Sequence, residues 1–311
     1  LGNIEAYRHK ERDQVGHRAR HRIATGQFEG IETVIERFVG AVFRAFLVAV
    51  LVALPSVFLP GTLSDSLALL MILTSAAAIL TFLEYNSEFP SMVEFRYAPP
   101  FNRLRFGAVF LLVMVLTIIA RGKIHPTELS QGLTAIGRLL GNTIDFPYSP
   151  VRLIVLMMPV NAPKELISDV RSAAGLAYFV SLVMMFIFIL YVRFLGWPAR
   201  NGAFNVWINL PVFDPTRGDV LSRLYRDARV NIALGFLLPF LIPAIVKLAS
   251  TLVDPISLAH SQTLIWTMTA WALVPASMIM RGIAIGRVAD MIEEKRRRAY
   301  AEAEEQGLQA T

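Results

Sequence analysis

Six long apolar runs restrict this chain more than any other feature. A helix needs about 20 predominantly apolar residues to cross roughly 30 Å of hydrocarbon. Stretches that meet or approach that length lie at 38–59, 67–83, 106–120, 176–195, 231–253 and 264–280. The third is short unless Leu104 and its neighbours join it. Composition points the same way: 55% of the residues are hydrophobic and 17% charged, against about 25% charged in soluble domains. The expected fold class is an all-α, polytopic transmembrane helix bundle with six spans and both termini inside.

Charge supplies the orientation. With the N-terminus inside, the segments 1–37, 84–105, 193–229 and 281–311 hold 22 Lys and Arg, whereas 60–66, 121–175 and 254–263 hold six. Cytoplasmic loops carry the Lys/Arg excess, and here the bias alternates correctly at each loop. Three regions follow. Residues 1–37 form a basic cytoplasmic segment with an interfacial helix, because Phe28, Ile31, Val34, Ile35 and Phe38 repeat at helical spacing. Residues 38–280 form the membrane domain, and 281–311 a charged cytoplasmic helix. The first 37 residues hold no signal-peptide core, so the first span serves as an uncleaved anchor.

The outer loop 121–175 is too long for a simple turn. Leu129, Leu133, Ile136, Leu139 and Leu140 recur at helical spacing, which predicts a helix on the membrane surface. The run 151–160 is too short to span and predicts a surface or re-entrant segment. On the inner side, Asp214-Pro215 reads as an N-cap with Pro at the first helical position. Leu221, Leu224 and Ala228 then form a stripe leading into the fifth span.

Several functional classes lose support at this stage. The net charge of +6 would suggest nucleic acid in a soluble protein, but here it is explained by topology, and nucleic acid is not expected as a partner. The chain has no cysteine, which removes disulfides and thiolate chemistry. His17 and His21 share a helical face, but arginines surround them and no ligand set is completed, so no metal is expected. No span holds a histidine to ligate haem. Catalytic, P-loop and dinucleotide motifs are missing, and no cofactor is expected beyond bound lipids. Arg44 and Lys247 lie within spans near their ends, where they can snorkel. Pro55, Pro239, Pro243 and Pro275 read as kinks that neighbouring helices repair.

The candidate docking residues lie in the two aromatic- and Arg-rich inner loops: Arg96, Tyr97, Phe101 and Arg103 in one, Trp207, Phe213 and Arg217 in the other. Aromatics and Arg dominate protein interfaces, although the same residues also anchor loops at the headgroup level. The expected function is a non-catalytic accessory, assembly or scaffold subunit of a larger complex in a bacterial inner membrane. Its partners would be lipids and either another membrane protein or further copies of itself. The rival is a channel or transporter component. A third reading is an intramembrane enzyme acting on a lipid or isoprenoid.

Overall fold

A computed structural model describes residues 35–59, 64–89, 91–159, 161–198, 208, 219–249 and 258–305. Among these every regular element is a helix. The elements are α1 (Ile35–Phe58), α2 (Ser64–Asn86), α3 (Phe101–Gly122), α4 (Glu128–Ile144), α5 (Pro150–Met157), α6 (Lys164–Phe194), α7 (Val220–Ala249) and α8 (Ser261–Glu305). Six of them, all but α4 and α5, are long and apolar enough to cross a membrane. The third apolar run does gain its missing length from Phe101–Arg105, which open α3.

The chain divides into two compact units. One comprises Leu1–Val52 and Ala68–Ser91, the other Ala53–Leu67 and Met92–Thr311. In the first, the Phe38 and Phe82 rings meet edge-on at 5.5 Å. Arg44 donates to the Gly40 carbonyl at 2.7 Å and lies 4.8 Å from the centre of the Tyr85 ring. The guanidinium is thus held by a carbonyl and a π-face inside an apolar helix. Glu84, buried, closes the turn after α2 by accepting from the Ser91 amide at 2.9 Å and its hydroxyl at 2.7 Å.

The second unit is built around α8, which packs against α3, α6 and α7. Its faces are sorted by size rather than polarity. The buried residues of α7 are Leu224, Ala228, Asn231, Gly235, Pro239 and Pro243, one face at three- and four-residue steps, while Phe236, Leu237, Leu241 and Ile245 point outward. Lipid tails are as apolar as Leu, so helices in lipid associate through close van der Waals approach, and small residues turn inward to permit it. A Cβ at Gly235 would lie 2.6 Å from the Pro275 carbonyl oxygen, and one at Gly282 2.6 Å from that of Ala228.

The same rule governs α4. Its predicted apolar stripe is present, but Leu129, Ile136 and Leu139 are exposed while Ser130, Gly137 and Gly141 face the bundle. A Cβ at Gly175 of α6 would meet the Gly141 Cα at 2.5 Å. The run 151–160 becomes the eight-residue α5, opened by a Ser149 cap with Pro150 in its first turn. Asp214-Pro215 and Val34 with the residues before it lie outside the described residues.

One backbone bond lost to proline is replaced by a neighbouring helix. Pro243 has no N–H, so the Pro239 carbonyl loses its helical donor. The buried Trp271 indole donates to that carbonyl at 3.1 Å. Lys247, near the end of α7, reaches the Met158 carbonyl after α5 at 3.3 Å.

Two glycines give a direct test of this packing. Gly175→Ala puts a methyl against backbone that cannot rotate away and should cost about 1–3 kcal/mol. Gly107→Ala meets no heavy atom within 4 Å and should be neutral or stabilising by up to about 1 kcal/mol. Thermal midpoints in mild detergent compare them directly. Equal midpoints would contradict the contact between α4 and α6.

Candidate functional site

The polar chemistry of the second unit gathers at three places. The first joins the 92–100 segment to α7 and α8. Arg281 of α8 forms a two-pronged bond to Glu94, Nε to Oε2 at 2.6 Å and Nη2 to Oε1 at 2.9 Å. Its third nitrogen reaches Asp227 Oδ2 at 2.9 Å. Asp227 also accepts from Asn231 Nδ2 at 2.9 Å, and the same amide donates to the Asp227 carbonyl at 2.8 Å. The side chains are 12–22% exposed, so their attraction is much less screened than on a surface. The planar guanidinium suits this task because its fork matches a carboxylate edge to edge.

An aromatic cluster stands beside it. Phe95, Phe101, Phe188 and Trp197 are all buried, with ring centres 4.7 Å apart for Phe95 and Phe101 and 5.1 Å for Phe188 and Trp197. The Trp197 indole donates to the Ala98 carbonyl at 3.1 Å. Phe95 adopts φ of 55°, a left-handed backbone that costs a β-carbon residue on the order of 1–3 kcal/mol, and its ring is held on both sides by this cluster. The 92–105 segment is therefore anchored into its own bundle through its aromatics.

The docking residues expected from the sequence separate accordingly. Phe101 is 1% exposed and belongs to the core. Its ring fills the space between Phe95 and Phe188. Tyr97 and Arg103 are exposed and Arg96 is half-buried, with its guanidinium bonded to the Tyr97 hydroxyl and 4.6 Å from that ring's centre. Trp207, Phe213 and Arg217 lie outside the described residues.

The second polar place lies around the loop after α4. Asp145, almost buried, pairs with Arg152 of α5 at 2.8 Å and with Arg171 of α6 at 2.8 Å. Nearby in sequence, Lys123 pairs with Asp169. The sequence alone nominates no partner for Asp145 or Asp169. The sequence singles out neither Arg281 nor Asp227, and marks Glu94 only as one charge of the aromatic-rich loop 84–105. Partners 187 and 54 residues apart leave no spacing signal in a single sequence.

The third place is a cavity of about 400 Å³ lined by the end of α1 (Leu54, Phe58), the last turns of α3 (Met114, Thr117, Ile118, Arg121, Gly122) and the segment opening α4 (His125, Thr127, Ser130). Arg121 lies over the Phe58 ring at 5.4 Å. Thr127 and Ser130 cap α4 reciprocally, each side chain bonding the other's backbone amide. Among the described residues no group of three or more His, Asp or Glu converges as a metal site.

Fold and chemistry together define a multi-pass helical membrane protein. No family model, curated protein or solved structure matches the chain.

Arg281→Met should destabilise by about 3–5 kcal/mol, because Glu94 and Asp227 would lose the cation they share. Removing all three charges together (Arg281→Met, Glu94→Gln, Asp227→Asn) should recover most of that loss, and a double-mutant analysis of thermal midpoints measures the coupling. Phe101→Ala should cost about 3–5 kcal/mol, whereas Arg103→Ala should leave the midpoint unchanged. A stable Phe101→Ala protein would return that ring to the list of surface candidates.

Proposed function

We propose that the chain is a non-catalytic, multi-pass subunit that supports a larger assembly in a bacterial inner membrane, with both termini in the cytoplasm. The observation that carries this reading is the use made of the interior charges. Arg281 is matched to Glu94 and Asp227, and Asp145 to Arg152 and Arg171. The first set ties together segments up to 187 residues apart and the second ties the loop after α4 to α5 and α6, the work of a rigid scaffold rather than of groups poised for proton or ion transfer. The carbonyl freed by Pro243 and taken by the Trp271 indole fits the same reading. Arg96, Tyr97 and Arg103 remain the residues proposed for contact with a partner. The inner-membrane assignment rests on the Arg-rich, cysteine-free composition.

Orientation can be tested without background, because the chain contains no cysteine. Single substitutions Ile124→Cys and His260→Cys should react with a membrane-impermeant maleimide on intact cells, while Ala301→Cys should react only after permeabilisation. The reverse pattern would overturn the proposed topology.

The functional reading is tested by mild detergent extraction from the native membrane and native mass spectrometry. A stoichiometric, larger membrane partner is expected, and Arg96→Ala or Tyr97→Ala should weaken its retention. A lone monomer or a pure homo-oligomer would overturn the heteromeric reading, and solute flux in liposomes would then test the channel or transporter alternative.

A further inference from the structure

The cavity between the ends of α1 and α3 and the start of α4 has a polarity gradient along the helix axis. Met114, Ile118 and Arg121 succeed one another along α3, and at 1.5 Å per residue they span about 10 Å. The deeper lining is Leu54, Met114 and Ile118. The outer lining is Arg121, His125, Thr127 and Ser130. Arg121 immediately follows the apolar run 106–120, so the cation sits where that span leaves the hydrocarbon. Below the cavity, exposed Leu111 continues the apolar stripe from Met114 down the same face of α3.

We propose that this cavity binds the phosphate headgroup of an anionic phospholipid, with the guanidinium of Arg121 on the phosphate and an acyl chain along Met114 and Leu111. Several observations favour this class of ligand. A volume of about 400 Å³ lies within the range of small-ligand sites; it admits a headgroup and the glycerol region while the chains stay in the bilayer. Neighbouring cations are committed elsewhere, Lys123 to Asp169 and Arg152 and Arg171 to Asp145. Arg121 instead lies over the Phe58 ring, and a guanidinium can bond phosphate in two-pronged fashion. His125 and the hydroxyls of Thr127 and Ser130 supply further polar groups on the same wall. Glu128, next along α4, is not among the lining residues. Gly122 keeps this wall closed, since a Cβ there would lie 2.4 Å from the Ser130 side chain.

The test uses the full chain purified in a neutral detergent, with phosphatidylglycerol and phosphatidylcholine titrated separately and read by native mass spectrometry. Phosphatidylglycerol should be retained about tenfold more strongly than phosphatidylcholine, because both carry the phosphate but the choline cation of the latter offsets its attraction to Arg121. Arg121→Gln should reduce it to the phosphatidylcholine level, while Arg103→Gln, in the segment that opens α3, should not. Ile118→Trp fills the deeper half and should weaken phosphatidylglycerol binding with Arg121 intact, which keeps the test valid if Arg121→Gln fails to fold. Unchanged binding in both Arg121→Gln and Ile118→Trp would overturn the proposal, as would equal retention of the two lipids. Inorganic phosphate that binds with the same Arg121 dependence and displaces phosphatidylglycerol would mark the ligand as a free phosphate and overturn the lipid assignment. Because the readout needs no partner protein, its failure is distinguishable from failure of the subunit reading.

Discussion

The close approach of α7 and α8 is the contact on which the second unit depends. Between two helices in lipid there is no hydrophobic gain to drive association, so stability comes from dispersion contacts and from hydrogen bonds that lipid cannot offer. Both demand short interaxial distances. Gly235 and Gly282 allow backbone carbonyls to approach where a Cβ would clash, and Ala228, Pro239 and Pro243 extend the same face. That closeness brings the Trp271 indole to the carbonyl freed by Pro243. A residue that would break a soluble helix is thereby absorbed into the packing of this one.

Charge completes what close packing begins. Arg281 lies on α8 where the segment leading to α3 crosses it, and Glu94 and Asp227 reach it from two different elements. A buried cation left alone would be costly, and each acid alone equally so. Together they specify one register of α7 against α8 and one seat for the 92–100 segment. Beyond Ala289 α8 is largely exposed, and there Arg296 pairs with Asp219 and the Tyr225 hydroxyl lies 2.8 Å from both Asp290 and Glu293. These outer pairs are more exposed and add little stability individually.

The cluster of Asp145, Arg152 and Arg171 has an analogous role, tying the loop after α4 to α5 and α6. With the Gly141–Gly175 contact it turns the long connection between α3 and α6 into part of the bundle. This arrangement leaves the apolar stripe of α4 facing outward, which suits a helix whose solvent on that side is lipid or headgroup. It also forms one wall of the cavity beside Arg121, so a connection without a span of its own shapes the one large amphiphilic site described.

Some of this was legible in the sequence. Six apolar helices follow from local composition, because a backbone in hydrocarbon must bond to itself and length alone decides whether it can cross. The helical spacing of 129–140 and the capping of short elements by Ser, Thr and Pro are local in the same sense. What only the tertiary structure decided is which face turns inward. In water the large apolar face packs and the rule can be read from a helical wheel; in lipid large side chains suit either environment, so Phe101 enters the core while Leu139 stays outside. Nor could a single sequence pair Arg281 with Glu94 across 187 positions, since a salt bridge depends on distance in space and leaves no periodic trace along the chain.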